Sequence, residues 1–263
     1  MTYRETDLVD TVDRLLDTTD PAAPLTRAAL DALDQFHAGG PRAVDRLVPS
    51  LGVGPGDVVL DVGSGLGGPA RQVAVSTGCQ VVGVDVTAAY VEVAVELTAR
   101  TGLAERVRFV HSDVADLLPD RPFDAAFTMH VQMNVADKAD WFATIAGCLA
   151  PGAGLAVWEV CRTGDGQPPW PMPWSLDGSD SHLETADGLL AAIEAGGFGA
   201  VEWVDETAWV VSWFDETFAD GPPSGPSLPM LLDDGFTRVL QFAGALADGT
   251  LGIRRGSFVR SAG

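Results

Sequence analysis

Five short apolar runs alternate with helical segments between residues 57 and 160, and this alternation constrains the fold of the chain most strongly. The runs lack the polar alternation of half-exposed strands, which predicts buried strands of a parallel sheet. Apolar side chains recur at helical spacing over residues 68–77, 88–100 and 137–150. Such an order predicts an α/β fold, a doubly wound sheet with right-handed crossovers and helices on both faces. The five predicted strands read DVVLDV, CQVVGVD, RVRFVHS, FDAAFTM and GLAVWEV.

The flanking segments complete a chain that we interpret as one domain. Residues 7–17, 26–37 and 39–52 have helical spacing and predict an N-terminal helical cap. Toward the other end, helices are predicted over 185–198 and 226–249, and strands over 201–214 and 250–262, which would pair at the sheet edge. The predicted parts are the cap (1–50), a cofactor-binding core (51–160), a proline-rich lid loop (161–184), and C-terminal helices with edge strands (185–263).

The charge of the chain limits its partners. A formal charge of −21 would repel phosphate backbones and anionic membranes, so we expect neither nucleic acid nor membrane as a partner. Cys79, Cys148 and Cys161 are scattered and odd in number, which indicates a reducing compartment. No secretory signal pattern opens the sequence. These features predict a cytoplasmic protein that acts on a small molecule.

A glycine-rich loop follows the first predicted strand. Gly63, Gly65 and Gly68 match the spacing G-x-G-x-x-G between a strand and a helix, which alone would suggest a dinucleotide. Asp61, two residues before the loop, argues against a pyrophosphate because two anionic groups would meet at short range. S-adenosylmethionine carries an ammonium and a sulfonium group and no phosphate. The loop therefore favours that cofactor.

Two further acidic residues follow the next strands. Asp85 ends the second strand, where a carboxylate can accept from both ribose hydroxyls. Asp113 follows the third strand and can accept from the adenine amine, although it is also a suitable helix cap. Ligands of open α/β sheets bind at this edge. Asp61, Asp85 and Asp113 together predict a crevice for an amine, a diol and a second amine.

These segments resemble the class I S-adenosylmethionine-dependent methyltransferases over roughly residues 30 to 200. The resemblance rests on VLDVGSGLGG, VVGVDVT, HSDVADL and LAPGAGLAVWEV. GSGLGGPAR and DQFHAGG look most like small-molecule enzymes of the sarcosine/dimethylglycine and ubiquinone-biosynthesis type. The resemblance implies a Rossmann-like seven-stranded, mostly parallel sheet with an antiparallel C-terminal hairpin. It also implies contacts of Gly63 and Gly65 with the aminoacyl part, of Asp85 with the ribose, and of Asp113 and Val114 with the adenine.

The expected cofactor site consists of residues at the ends of the first four strands. S-adenosylhomocysteine would be the product left in it. The site residues are Asp61, Gly63, Ser64, Gly65, Asp85, Val86, Ser112, Asp113, Val114 and His130.

Candidates for the acceptor side come from the cap, the lid and the segment after the fourth strand. His130 and His37 are the candidate catalytic bases, although either histidine could equally be structural. The predicted acceptor-binding residues are Gln132, Met133, Asn134, Trp170 and Trp174, with loop capping as the alternative for the two amides. No histidine or cysteine spacing suggests a metal site, and none is expected.

The sequence thus predicts a methyltransferase acting on oxygen, nitrogen or carbon of a small metabolite, as in secondary metabolism. A non-methylating relative that keeps the cofactor, such as a cyclase, is an alternative, and an NAD-dependent oxidoreductase is a second one. Trp203, Trp209 and Trp213 are assigned to the core or to an oligomer face, which is compatible with a homodimer.

Overall fold

The structure, a computed structural model, describes residues 8–16, 24–221 and 226–261. The ends of the predicted first helix, residues 7 and 17, lie outside the described residues. Within the described ranges no helix combines the length and the apolar character that crossing a membrane requires.

The described residues form one seven-stranded sheet with the order β3-β2-β1-β4-β5-β7-β6. The first five strands are parallel, and β7 runs antiparallel to both β5 and β6. The predicted fold class is confirmed, although β7 lies inside the sheet and β6 forms the edge. The strands are β1 (Val58–Val62), β2 (Gln80–Asp85), β3 (Val107–His111), β4 (Phe123–Met129), β5 (Leu149–Arg162), β6 (Phe198–Asp205) and β7 (Leu251–Arg260).

Nine α-helices surround this sheet in the described part of the chain. Helices α3, α4, α8 and α9 contribute apolar side chains to one face, and α6 and α7 contribute to the other. Their bounds are α1 (Leu8–Leu15), α2 (Arg27–Leu30), α3 (Gly40–Leu47), α4 (Gly68–Thr77), α5 (Ala88–Arg100), α6 (Lys138–Cys148), α7 (Ala186–Ala195), α8 (Thr207–Thr217) and α9 (Gly235–Ala247).

Two predictions of secondary structure were wrong. The helix predicted over 26–37 ends at Leu30, and the following residues turn toward the sheet, where Asp34 pairs with a buried arginine. The strand predicted over 201–214 ends at Asp205, and α8 follows. Its valine, tryptophan and phenylalanine residues favour a strand locally, but Val210 and Phe214 are one helical turn apart and both are buried.

The strand order creates a crevice between β1 and β4. The chain adds β2 and β3 on one side of β1, then returns to add β4 and β5 on the other side. Open α/β sheets bind ligands where the order reverses in this way, at the carboxyl ends of the strands. The glycine loop, residues 63–67, joins β1 to α4 at this point.

Candidate functional site

A cleft of about 520 Å³ opens at the carboxyl ends of β1, β2, β3 and β4. Its lining residues follow these four strands and lie under the N-terminal cap. All ten residues predicted to bind the cofactor line it: Asp61, Gly63, Ser64, Gly65, Asp85, Val86, Ser112, Asp113, Val114 and His130.

The glycine loop requires backbone conformations and space that other residues would not tolerate. Gly63 has a φ of 78°, and a Cβ atom there would lie 2.4 Å from Cγ2 of Val131. The carboxylate of Asp85 holds the loop from β2, because its Oδ2 accepts from the Gly65 N–H at 2.9 Å. Its Oδ1 accepts from the Thr87 N–H at 2.9 Å. Asp85 therefore fixes the loop while it faces the cleft.

Asp61 is buried at the carboxyl end of β1. Its Oδ2 has no hydrogen-bond partner among the described residues. Burial raises the pKa of this carboxyl group well above its ordinary range, and the nearby Asp85 raises it further. A buried polar atom without a partner costs free energy, and a cationic ligand group would supply that partner. The site fits the ammonium-bearing cofactor expected from the sequence.

Asp34, from the turn after α2, also lines the cleft, and sequence reasoning missed it. Its Oδ2 accepts from Arg71 Nη2 at 2.7 Å, whereas its buried Oδ1 has no partner in the described ranges. Burial raises the pKa of Asp34 to about 6 despite the arginine. Its position inside a predicted helix gave no signal that it would turn toward the cleft.

Asp113 is a helix cap that also lines the cleft. It is exposed and lines the cleft, while its Oδ1 accepts from the Ala115 N–H at 2.9 Å and so caps the short 3₁₀ helix Val114–Asp116. The neighbouring Ser112 donates its hydroxyl to the Asp113 carbonyl at 2.8 Å. One carboxylate oxygen thus supports the loop, and the other is not engaged in that cap.

A second cavity of about 280 Å³ adjoins the cleft and has mainly apolar walls. Phe36, His37, His130 and Trp174 line both spaces, so these four residues mark their junction. Much of the remaining wall comes from α8 and α9 and was not predicted. That part consists of Trp213, Phe214, Phe218, Val239 and Phe242.

The two candidate bases stand together at the junction. The rings of His37 and His130 have centroids 6.3 Å apart. His37 Nε2 lies 2.9 Å from Oε1 of Gln35, whereas His130 Nε2 is buried without a partner among the described residues. Burial lowers the pKa of His37 to about 4 and that of His130 well below its ordinary value. Both rings are therefore neutral at physiological pH.

His130 adopts an unusual backbone conformation, with a φ of 55°. Its N–H donates to the Trp158 carbonyl at 2.9 Å. The next N–H, of Val131, donates to both carboxylate oxygens of Glu159, at 3.2 and 3.1 Å. Glu159 is fully buried, and burial raises its pKa to about 8. This carboxyl group positions the turn that carries His130, a role that the sequence did not reveal.

Three of the five predicted acceptor-binding residues line the cleft or the apolar cavity, and two line neither. Trp174 and Met133 line the apolar cavity, and Asn134 lines the cleft. Gln132 lies outside both linings, because its side chain is buried and donates to the Val160 carbonyl at 2.7 Å. Trp170 also lies outside both, since it packs within the lid against Trp174 and Gly178. The prediction for Gln132 and Trp170 is corrected accordingly.

Aside from its histidines, the ionic side chains among the described residues that line the cleft are all acidic. Among the described residues that line it there is no lysine or arginine, and five are aspartates: Asp34, Asp61, Asp85, Asp113 and Asp180. The other titratable side chains among the described lining residues are His37, His130, His182 and Tyr90. Within the described ranges, no three or more histidine, cysteine or acidic side chains are grouped so that they could hold a metal ion.

Comparison with known proteins agrees with this geometry. Residues 59–152, from β1 into β5, match the family model described as a methyltransferase domain. A sterol 24-C-methyltransferase of Gibberella zeae is 29% identical over 179 residues, which make up 62% of this chain and 44% of that protein. The chain therefore spans less than half the length of this relative.

Solved structures share the fold at low sequence identity. Geranyl diphosphate C-methyltransferase from Streptomyces coelicolor A3(2), in complex with Mg²⁺, geranyl diphosphate and S-adenosylhomocysteine, has a TM-score of 0.68 and 21% identity, covering 83% of this chain and 77% of that chain. The 4+2 cyclase SpnF has a TM-score of 0.66 and 23% identity, covering 97% and 94%. Residues 59–152 thus match a methyltransferase domain model, and the chain shares the fold of these solved structures.

Proposed function

We propose that this chain binds S-adenosylmethionine in the cleft and transfers its methyl group to a small metabolite. The observation that carries the proposal is the buried, unpartnered carboxylate of Asp61, which fits a cationic ligand and disfavours a pyrophosphate. The absence of lysine and arginine from the described lining of the cleft supports the same conclusion. An NAD-dependent oxidoreductase would bring a pyrophosphate close to this carboxylate, which is unfavourable.

In this proposal, different cleft residues bind different parts of the cofactor. Asp61 and Asp34 hold the ammonium group, each with one unpartnered oxygen, and Gly63 and Gly65 let the backbone approach the aminoacyl chain. Ser64 contributes a buried hydroxyl that has no partner within the described residues. When bound, the cofactor supplies an activated methyl group on a sulfonium.

In the same proposal, residues at the ends of β2 and β3 bind the nucleoside part of the cofactor. Asp85 accepts from the ribose hydroxyls, next to Val86, and Asp113 with Val114 faces the adenine, next to Ser112. His130 lies where the cleft meets the apolar cavity, so it borders both the cofactor and the acceptor. Water exclusion there follows from the apolar wall.

Finer predictions from the sequence belong to the same proposal. They are the likeness to sarcosine/dimethylglycine and ubiquinone-biosynthesis enzymes, action in the cytoplasm, formation of a homodimer, and the single-domain organisation of residues 1–263. Acceptor assays test the first, and sedimentation of the purified chain tests the third.

Calorimetry with S-adenosylmethionine and S-adenosylhomocysteine tests the cofactor assignment. We expect micromolar binding, and a loss of at least about ten-fold in Asp61→Asn, because the amide keeps the shape but cannot become anionic. Binding should also release protons, because burial raises the pKa of Asp61 and a bound cation would lower it. The release is measured by repeating the titration in buffers of different ionisation enthalpy.

Two controls define what would contradict the proposal. Asp57→Asn changes a partly buried aspartate at the other end of β1, which only caps the Gly54 N–H, and should leave cofactor affinity unchanged. Tight binding of NADH with no response to S-adenosylhomocysteine would refute the assignment. Mass spectrometry of acceptors should show the gain of one CH₂, and a cofactor complex that never methylates would favour the non-methylating alternative.

A further inference from the structure

The apolar cavity defines which acceptor could reach the cofactor. Its walls are built from aromatic and aliphatic side chains of α8 and α9, together with Met133 and Trp174. The rings pack edge to face around Phe242, whose centroid lies 5.6 Å from that of Trp174 and 5.9 Å from that of His130. A volume of about 280 Å³ is near the lower end of small-molecule pockets. The space therefore suits a compact, largely hydrocarbon ligand.

An anionic acceptor finds no compensating charge in this cavity. Its described lining contains no lysine or arginine. The one carboxylate there, Asp31, is already paired with Arg27 at 3.4 Å. Transfer of a phosphate or carboxylate from water into the cavity would cost free energy, and no group in the described walls would offset that cost. The acidic cleft next to the cavity would add electrostatic repulsion.

A protonated amine is also disfavoured as the acceptor. It has no lone pair to attack the methyl carbon, and its charge would face the positive sulfonium. The titratable residues at the junction are His37 and His130, which are neutral, so no anion there would hold an ammonium group. A hydroxyl group differs because it is uncharged at neutral pH and offers both a lone pair and a proton.

We infer, on the basis of the proposed function, that the acceptor is an uncharged, mainly hydrocarbon molecule whose hydroxyl group meets His130. The hydroxyl oxygen forms a bond to the methyl carbon as the bond from that carbon to sulfur breaks, leaving a neutral thioether. The hydroxyl proton passes to Nε2 of His130, which is buried and has no partner in the described part of the chain. His37, 6.3 Å away between ring centroids, completes the polar end of the cavity.

Two probes that share the naphthyl ring system test the charge preference of the cavity. Calorimetry on the protein saturated with S-adenosylhomocysteine compares 2-naphthol with 2-naphthyl phosphate. We expect the naphthol to bind at least about ten-fold more tightly. Equal binding, or tighter binding of the phosphate, would overturn the inference.

A variant that adds a positive charge to the cavity wall tests the same preference. Phe218 is half-buried directly after α8 and stacks on Phe214 with ring centroids 6.0 Å apart, so Phe218→Arg can place a guanidinium at the cavity wall. The variant should bind the phosphate better than the wild type does. Trp203→Phe, on the edge strand and outside both cavities, should leave both affinities unchanged. No gain for the phosphate in a folded Phe218→Arg would overturn the charge argument.

The role of His130 is tested with His130→Asn. Asparagine tolerates the positive φ at this position but cannot accept a proton at neutral pH. We expect 2-naphthol and S-adenosylmethionine to bind within about three-fold of wild type, while transfer to the naphthol slows at least about 100-fold. An unchanged rate, or no transfer by the wild type, would overturn the hydroxyl assignment.

Failure of this inference is distinguishable from failure of the proposed function. If S-adenosylmethionine does not bind the wild type, the proposed function itself is refuted. If the cofactor binds and the naphthol does not, or if only anionic probes bind, the function stands and the acceptor class is wrong.

Discussion

The buried ion pair between Asp34 and Arg71 connects the N-terminal cap to the glycine loop at the level of single residues. Arg71 is fully buried and donates to the carbonyl of Leu66, in the loop, and to the hydroxyl of Thr98 on α5. Asp34 supplies the negative charge that this guanidinium needs. Loss of one partner of a buried pair leaves an uncompensated charge, which is far more costly than loss of an exposed pair.

We predict that Asp34→Asn lowers the free energy of unfolding by about 3 kcal/mol and weakens S-adenosylmethionine binding. Denaturant unfolding and calorimetry measure the two effects. The matched control is Asp31→Asn, which removes a partly exposed pair with Arg27 and should cost less than about 1 kcal/mol. Equal losses in the two variants would show that burial of the Asp34 pair is not the source of the effect.

Glu159 should give the protein a pH-dependent stability. Burial raises the pKa of its carboxyl group to about 8, whereas the unfolded chain ionises near its ordinary value of 4.5. Between these values the folded state holds one proton more than the unfolded state, so stability falls as pH rises. The pKa of His37 is lowered to about 4 in the folded state, so this group makes stability rise with pH between about pH 4 and 6.5. Above about pH 6.5 its effect ends, and in the window between about pH 6.5 and 8 a Glu159→Gln comparison separates Glu159 from Asp61, whose pKa burial also raises.

We predict that unfolding becomes easier by about 1 kcal/mol per pH unit in that window, and that Glu159→Gln reduces this slope. Urea unfolding at pH 6.5 and 8 measures it. Glu184→Gln, at a half-exposed carboxylate, is the control and should keep the wild-type slope. The prediction fails if Glu159→Gln and the wild type lose stability equally.

At the scale of elements, one arginine joins α9 to the lid. Arg238 is fully buried and donates from Nε to the Met172 carbonyl at 2.8 Å, and from Nη2 to the Pro173 carbonyl. These carbonyls precede Trp174, which lines both the cleft and the apolar cavity. A bond from the helix to the lid backbone thus fixes the tryptophan at the junction.

We predict that Arg238→Met weakens 2-naphthol binding about ten-fold or more while cofactor affinity changes less, because the lid loses its attachment and the cleft keeps its strand-borne residues. Hydrogen exchange over residues 170–183 should rise in parallel. Gln241→Met, one turn along α9, removes a longer contact of 3.4 Å to the Pro171 carbonyl and should have a small effect. Unchanged exchange in Arg238→Met would contradict the prediction.

The elements also differ in how far their sequences predict them. The strands and helices from β1 to β5 are local and periodic, and the predicted bounds of 88–100 coincide with those of α5. The segment that forms α8 is rich in β-branched and aromatic residues, so its helix depends on burial of Val210 and Phe214 against α9 and the sheet. Local propensity cannot report that packing.

The same distinction applies to the site. Asp61, Asp85 and Asp113 could be placed because each lies at or just after the carboxyl end of a strand, and parallel strands end at one edge. The apolar cavity could not be placed, because its wall joins segments from Asp31 to Phe242 that are adjacent only after folding. Asp34 and Glu159 were missed for this reason, since their importance arises from partners distant in the sequence.

At the scale of the whole molecule, a net charge of −21 and an aspartate-lined cleft should act on the cofactor before it binds. S-adenosylmethionine has a net positive charge at neutral pH, because its sulfonium adds to a zwitterionic amino acid, whereas S-adenosylhomocysteine is neutral overall. A negative field focused in a cleft attracts the first and leaves the second unaffected. The neutral product is an internal control of almost identical shape.

We therefore predict that the association rate of S-adenosylmethionine falls at least about three-fold between 0.02 and 0.5 M salt, while that of S-adenosylhomocysteine stays nearly constant. Stopped-flow fluorescence of Trp141 and Trp174, which both line the cleft, follows the two reactions. The salt effect should shrink in Asp180→Asn, an exposed aspartate at the cleft, and persist in Asp248→Asn, an aspartate outside it. Equal salt dependence for the two ligands would mean that the surface charge serves solubility alone and does not guide the cofactor.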